Sequence, residues 1–479
     1  MVMHTSMFPL IRVSILLFLC GLCFDVSKAE SQQRPNIIYI MADDLGYGDL
    51  GCYGQGVIQT PHIDQLASEG IRFTDHYAGH TVCRPSRLVL WLGQHVGHTG
   101  LTGNRPRSLT SEEQTVARLL NESGYRTGGV GKWALGNVEK PSEIHNAGHP
   151  NRNGFDYWYG YLNQGNAHNY YPMFLWENDT QVPLPGNRID PAPAGRRRVS
   201  VNRVTYSHDV MTEAAFRFIE RNRDRPFLLH IHWTIPHANN EGGRLTGNGM
   251  EVPDYGMYGD RDWPETEKGF AAMVTRMDSD VGRLSRLLKT LEIDEKTLVI
   301  FTSDNGPHNE GGHNHEFFNS NGDLKGFKRS MHEGGIRVPM IARWPDKIAA
   351  GKIADHPSGF YDFLPTACEL AGISPPEGID GLSYLPTLLG QFDQQQKHEY
   401  LYCESLEGAT SVGVRFGDWK LVKYRQKKEA NKSQSDNKDL WRLYDLREDI
   451  SEKNDLSAKH PDVVQQISSL LERDGLHQD

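Results

Sequence analysis

Short, almost uninterrupted apolar runs recur along the chain, separated by longer stretches whose apolar residues repeat at helical spacing. Ile37-Ile38-Tyr39-Ile40-Met41, Phe227-Leu228-Leu229 with the positions up to Ile235, and Leu298-Val299-Ile300-Phe301 are of the first kind, the pattern of strands covered on both faces. The clearest example of the second kind runs from Glu265 to Leu291. There Phe270, Met273, Val274, Met277, Val281, Leu284, Leu287, Leu288 and Leu291 share one helical face, a core stripe rather than a binding feature. Further helices are expected over Thr60 to Ala67, Ser111 to Ser123 and Val204 to Arg221. Ser111 has the character of an N-cap with Gln114 three residues on, and Gly124 follows the end. Tyr125 to Trp133 reads as a strand and loop. Strands and helices mixed in this way predict an α/β fold. The hydrophilic run Gln391 to His398 marks a boundary, after which Ser411 to Tyr424 and Trp441 to Leu446 read as short strands and Val463 to Arg473 as a last helix. The expected division is residues 1–29, 30–390 and 391–479.

The strand ends carry the chemistry. Asp43-Asp44 follows the first apolar run, Pro236-His237 the second and Asp304-Asn305 the third. Open α/β sheets bind ligands at the C-terminal edge of their strands. Asp43, Asp44, Asp304 and Asn305 meeting there would form an all-oxygen site suited to Ca²⁺ or Mg²⁺ and unsuited to soft metals, with Ca²⁺ the first expectation. His230 and His232 alternate with apolar residues and read as strand-face residues. Between the first two strands lies Cys83-Arg84-Pro85-Ser86-Arg87. Pro85 suits the first position of a helix, so Cys83 falls near a helix N-terminus. Backbone N–H groups, Arg84 and Arg87 would there favour a thiolate or a bound anion. A buried, inert thiol is the competing reading. His95 and His98 follow at helical spacing, and Lys132 stands among glycines. Residues 151–190 are rich in Asn, Gly, Tyr and Trp. They suit either a sugar-like or aryl ligand, with His168 the first residue to test, or a meander packed by its own aromatics.

The 479 residues carry a formal charge of −10, with 38% hydrophobic and 23% charged side chains, an ordinary composition for a globular chain. The acidic balance argues against a nucleic-acid partner, and Arg196-Arg197-Arg198 and the lysine-rich residues 426–438 read as solvated loops. Arg12, the apolar run Ile15 to Phe24 and Ser27-Lys28-Ala29 read as an export signal, too short for a confident membrane span. The expectation is an exported protein without a transmembrane span in its mature form, periplasmic or secreted, and extracellular or lysosomal in a eukaryote. Cys52, Cys83, Cys368 and Cys403 remain after cleavage at Ala29. They lack CxxC spacing, so neither a zinc site nor a dense disulfide framework is indicated.

Cys-x-Pro-Ser-Arg at Cys83 to Arg87 resembles the signature of the sulfatase family. Asp43-Asp44-Leu45-Gly46-Tyr47-Gly48-Asp49, Gly131-Lys132-Trp133, Pro236-His237, Ser303-Asp304-Asn305-Gly306 and Lys328 with Glu333-Gly334-Gly335-Ile336-Arg337-Val338-Pro339 are similar to the family's remaining blocks, in the family's order. The resemblance spans Asn36 to about Asp455. It implies an alkaline-phosphatase-like large mixed sheet sandwiched by helices, with a small C-terminal antiparallel-sheet subdomain. It also implies hydrolysis of a sulfate ester; export and the long aromatic loops favour a carbohydrate or polysaccharide sulfate over a small aryl sulfate. Cys83 would be oxidised to formylglycine (3-oxoalanine) by a formylglycine-generating enzyme and, hydrated, would attack sulfur beside a cation held by Asp43, Asp44, residue 83, Asp304 and Asn305. Arg87 would orient the nucleophile, Lys132 and Lys328 would bind the sulfate, and His237 or Lys328 would assist the leaving alcohol. Many members carry a histidine after Gly-Lys-Trp; here the residue is Ala134, for which His95 and His98 are the nearest substitutes in sequence. Trp91 to Gln94 also depart from the family's Leu-Thr-Gly-Arg. A phosphonate or phosphodiester hydrolase of the same superfamily, a non-catalytic binder of sulfated glycans and a hydrolase that keeps the Cys83 thiol are the alternatives.

Overall fold

Ten strands form the central sheet, in the order Lys352–Ala354, Ile71–Phe73, Met340–Arg343, Thr297–Ser303, Asn36–Asp43, Phe227–Pro236, Arg126–Lys132, Tyr157–Tyr161, Phe174–Glu177 and Thr180–Pro183. The five from Thr297–Ser303 to Tyr157–Tyr161 are mutually parallel, and antiparallel strands flank them on both sides. This computed structural model describes residues 1–2, 34–136, 138, 140–189, 199–425 and 440–476. The expected export segment beyond residue 2, the basic run Arg196 to Arg198 and the lysine-rich residues 426–438 lie outside the described residues. Residues 34–479 form one unit, distinct from residues 1–33. No described helix is long and apolar enough to cross a membrane.

The alternation of strand side chains builds two cores. Ile37, Tyr39 and Met41 face the helices Cys83–Leu92, Val116–Glu122 and Phe363–Ala371; Ile38, Ile40 and Ala42 face Pro61–Ser68, Ser207–Asn222 and Glu265–Thr290. The long C-terminal helix of this second set carries the apolar stripe legible in its sequence. A four-stranded antiparallel sheet, Leu401–Glu404, Thr410–Phe416, Trp419–Tyr424 and Leu440–Asp445, packs Val414, Leu421 and Leu443 into the first core. The residues from Ser411 to Tyr424 supply two of these short strands, because Gly417, at φ +57°, reverses the chain between them. Glu333, in the segment that leads to the strand Met340–Arg343, holds this small sheet: its carboxylate accepts from Lys420 Nζ (2.9 Å), Tyr77 OH (2.7 Å) and Arg337 Nη1 (3.2 Å). Lys420 and Arg337 hold that carboxyl down at about 2 against the cost of burial.

Two local expectations shift. The helix after Gly100 is Val116–Glu122, capped by Thr115 Oγ1 accepting from Arg118 N–H (3.2 Å), not by Ser111. Glu113 is held by the Thr110 N–H and Arg107, which fixes a turn before the apolar run starts. In residues 151–190 the strand Tyr157–Tyr161 extends the sheet, and Trp158, Tyr159, Tyr161, Tyr170, Tyr171 and Trp176 are buried. Those aromatics are core, and only His168 of the expected ligand residues reaches the strand-end cluster.

Asp278, on the long helix, caps the helix Pro61–Ser68 by accepting from the His62 and Ile63 N–H groups (2.9 and 2.8 Å). Burial pushes its carboxyl up to about 7. The folded chain therefore keeps a proton there that the unfolded chain releases near pH 4, so this group's contribution is fully present in acid and lost as pH rises through about 7. Urea unfolding of wild type and Asp278→Asn should show the stability difference moving against the wild type from about pH 5 to pH 8, with the variant insensitive at this site.

Candidate active site

Strand ends deliver the site. Asp43 closes its strand, with Asp44 next in the left-handed region at φ +65°; Ser303 leads into Asp304-Asn305, Pro236 into His237, and Lys132 ends the strand after Gly131. Gly131 is required: at φ +103° a Cβ would lie 1.8 Å from His232 O on the neighbouring strand. Gly334 lets the Lys325-to-Gly335 loop fold against this edge, since its Cβ would meet Gly326 O at 2.2 Å. The Lys328 N–H then donates to Pro307 O (2.9 Å), which fixes the lysine beside Asp44.

Cys83 is the first residue of the helix Cys83–Leu92, one turn ahead of Arg87, with Pro85 also in the first turn. Its buried thiol donates to Asp43 Oδ1 at 3.2 Å. Burial and the facing carboxylates of Asp304 and Asp43 push the thiol well up, against the thiolate that a helix N-terminus and Arg87 would favour. Lys132 Nζ donates to Asp43 Oδ2 (2.6 Å), and Lys328 Nζ donates to Asp44 Oδ2 (2.7 Å). Arg87 donates through Nε and Nη2 to Asp304 Oδ2 (3.2 and 2.8 Å), and its Nη2 stands 3.4 Å from Asp43 Oδ2. Its Nη1 donates to Lys132 O (2.8 Å) and lies 3.2 Å from His232 Nδ1. Three buried carboxylates thus face three buried cations.

Asn305 Nδ2 donates to Asp44 Oδ1 (2.7 Å), while its Oδ1 is buried without a hydrogen-bond partner. Ligand atoms of Asp43, Asp44, Cys83 and His237 all lie within 4.8 Å of one another. Burial, with Asp43 beside it, pushes Asp304 up to about 7, a crowding of carboxylates that a cation would relieve. The orphaned amide oxygen and the carboxylate-rich donor set fit a hard divalent ion.

His237 Nδ1 donates to Ala238 O (2.7 Å), leaving Nε2 3.3 Å from Lys328 Nζ. Burial and the Lys328 charge push this imidazole down to about 3. His168 stacks on His237 (centroids 4.9 Å apart, 21° between planes) and pairs with Glu241 (3.1 Å). His95 and His98 are elsewhere. They stack on each other (4.4 Å) and face Asp380, beyond the far end of a ten-residue helix from Cys83, a separation of about 15 Å. They do not stand in for the histidine expected at Ala134, which is itself buried with φ +70°. Sequence reasoning missed Glu310, which accepts from Lys328 (3.1 Å) and pairs with Arg329 (2.7 Å). It also left His232 as a plain strand-face residue. His232 faces Arg87 on one side and His230 (3.2 Å) on the other, with Trp91 packed on both rings.

The family model described as Sulfatase matches residues 35–373, which is more than half of the chain. The chain belongs to the sulfatase family. A second model, N-sulphoglucosamine sulphohydrolase, C-terminal, matches residues 322–475 of this sulfatase. The N-acetylgalactosamine-6-O-sulfatase of Bacteroides thetaiotaomicron is 29% identical over 529 aligned positions that cover 98% of each chain. Human steryl-sulfatase is 33% identical over 462 positions, covering 80% of this chain and 75% of its own. The solved structure of Ps i-CgsB in complex with k-i-k-neocarrahexaose superimposes with a TM-score of 0.75 at 29% identity, over 92% of both chains. The alkaline-phosphatase-like sandwich and the sulfuric ester hydrolase activity implied by the sequence blocks are thereby borne out.

Lys132→Met in this sulfatase would leave Arg87 as the one cation paired with Asp43 and take one of the three buried cations from the cluster. Steady-state kinetics on a sulfate ester should show kcat/KM falling roughly 100- to 1,000-fold.

Proposed function

We propose that this sulfatase is exported and releases sulfate from a sulfated carbohydrate, using residue 83 in its formylglycine form beside a Ca²⁺ ion. The observation that carries the reading is the buried array of Asp43, Asp44 and Asp304 against Arg87, Lys132 and Lys328, packed around Cys83. Three and three balance, so a divalent ion held by Asp43, Asp44, Asp304 and Asn305 would make the site net positive and attractive to an anionic ester. That ion would supply Lewis-acid polarisation of the sulfate oxygens. Formylglycine would supply a hydrated aldehyde, with one hydroxyl to attack sulfur and a second that lets the sulfate leave.

The protein's own groups do the rest. Arg87, clamped by Asp304, Lys132 O and His232, holds the first helical turn against Asp43 and so fixes residue 83 in position. Lys132 and Lys328 approach from two sides and bind the sulfate oxygens while charge develops on them. His237 Nε2 and Lys328 Nζ lie side by side as a base and its proton source, and this pair protonates the departing alcohol. A carbohydrate is favoured over a steroid by the rim, where His168, Asn240, Glu241, Glu310 and Arg329 present polar groups rather than an apolar slot. The N-acetylgalactosamine-6-O-sulfatase relative also covers essentially the whole of both chains, whereas the steryl-sulfatase covers less.

The test is turnover by protein made together with a formylglycine-generating enzyme. Sulfate release from N-acetylgalactosamine 6-sulfate or a sulfated galactan oligosaccharide should exceed release from an aryl sulfate, and an aryl phosphodiester should be cleaved far more slowly. Faster cleavage of the phosphodiester, or glycan binding without any sulfate release, would overturn the reading in favour of the superfamily hydrolase or the binding protein. Cys83→Ser should complete about one turnover and then carry sulfate on the serine, visible in the intact mass, because a serine ester lacks the second hydroxyl.

A further inference from the structure

Arg84 fills the variable position of Cys-x-Pro-Ser-Arg, and its surroundings differ from those of the cations in and beside the strand-end cluster. Arg87, Lys132, Lys328 and Arg329 each face at least one carboxylate within ion-pair distance. Arg84 is only 4% exposed and has no such partner among the described residues. Its backbone N–H donates to Asn104 Oδ1, and of its five side-chain N–H groups one is engaged, from Nη1 to Asn104 O, each at 3.2 Å. Nε is buried without a partner. Burial pushes the guanidinium down, with neighbouring Cys83 alone in opposition. As the second residue of its helix, Arg84 also sits at the positive end of the helix dipole. A charge removed from water, unpaired and on the wrong end of a helix is costly, and a neutral side chain would serve a merely structural role better.

Its place in the molecule gives that charge a use. The Asn104 N–H donates to Glu407 Oε1 (2.7 Å), Glu407 pairs with Arg329 (3.4 Å), and Arg329 pairs with Glu310, which accepts from Lys328. This chain of contacts runs along the rim from Arg84 to the sulfate-binding lysine. The Arg329 N–H donates to Thr81 O (3.0 Å), two residues before Cys83, which ties the rim to the approach of the nucleophile. Arg329 is neutralised by two carboxylates, and Arg84 is not.

We propose that Arg84 is a specificity-determining residue that binds a second anionic substituent of the substrate, a carboxylate or a further sulfate, next to the sulfate being removed. The proposal rests on the carbohydrate-sulfate reading and narrows it to polyanionic glycans. Charge-assisted hydrogen bonds from a buried guanidinium are strong and bidentate, which suits either group.

The experiment measures binding apart from turnover. In a Cys83→Ala background, calorimetric titrations use N-acetylgalactosamine 6-sulfate, N-acetylgalactosamine 4,6-disulfate and a uronate-linked N-acetylgalactosamine 6-sulfate disaccharide. At least one of the doubly charged probes should bind roughly 10- to 100-fold more tightly than the singly charged one. Arg84→Gln should abolish that ratio and Arg84→Lys restore part of it. The probe that loses its advantage identifies the second anion as sulfate or carboxylate. A ratio near one in the parent protein, a ratio unchanged by Arg84→Gln, or equal weakening of all three probes would overturn the proposal. Sulfate release by the Cys83-containing, converted enzyme is followed in parallel. Release without any preference defeats the Arg84 assignment and leaves the sulfatase reading standing, while a preference that depends on Arg84 without any release does the opposite.

Discussion

Three carboxylates brought together out of water are the constraint around which this molecule is arranged. Asp43, Asp44 and Asp304 cannot all ionise in a buried cluster without compensation. The chain supplies three cations from three different segments to meet them: Arg87 from the helix that begins at Cys83, Lys132 from a strand end and Lys328 from the glycine-rich loop. Each cation also has a second task. Arg87 anchors the turn that carries Cys83, Lys132 lends its carbonyl to Arg87, and Lys328 reaches His237 and Glu310. Removing one charge would therefore unbalance electrostatics and geometry together.

The parallel strands make this assembly affordable. Five of them end on one edge, so residues far apart in sequence converge there without long loops, and the two cores behind the sheet keep that edge fixed. The antiparallel C-terminal sheet extends the first core and reaches the same region through Glu333, whose neighbours Gly334 and Gly335 shape the Lys328 loop. The residue that anchors the small sheet is thus followed directly by the glycines against which the Lys328 loop folds.

Much of this was legible in the sequence, for physical reasons. Apolar runs ending in Asp43-Asp44, Pro236-His237 and Asp304-Asn305 announce buried parallel strands with polar ends, and their convergence follows from the fold class. The stripe from Phe270 to Leu288 predicts its helix because one face repeats for about five turns. What stayed hidden depends on tertiary approach. Nothing local marks Glu310 as the partner of Lys328 and Arg329, or His232 as an acceptor for Arg87, since each acts across the sheet edge. His95 and His98 looked near Cys83 because they follow it closely, yet a helix that starts at Cys83 carries the chain away from the site. The departure at Trp91 also has a structural content: the indole fills the space against His230, His232, Trp133 and Phe155 behind Arg87. The aromatic residues of 151–190 were ambiguous in sequence because a strand that ends a sheet and a ligand loop share the same composition.

The central claim is that this charge-balanced pocket holds residue 83 as an aldehyde-derived nucleophile rather than a thiol. The most direct measurement is the mass of the tryptic peptide Phe73 to Arg87, which Pro85 keeps intact at Arg84, taken from protein whose sulfate-ester turnover has been measured. The account predicts that turnover rises in proportion to the fraction of peptide carrying formylglycine in place of cysteine. Full turnover from protein whose peptide retains an unmodified Cys83 thiol would contradict it.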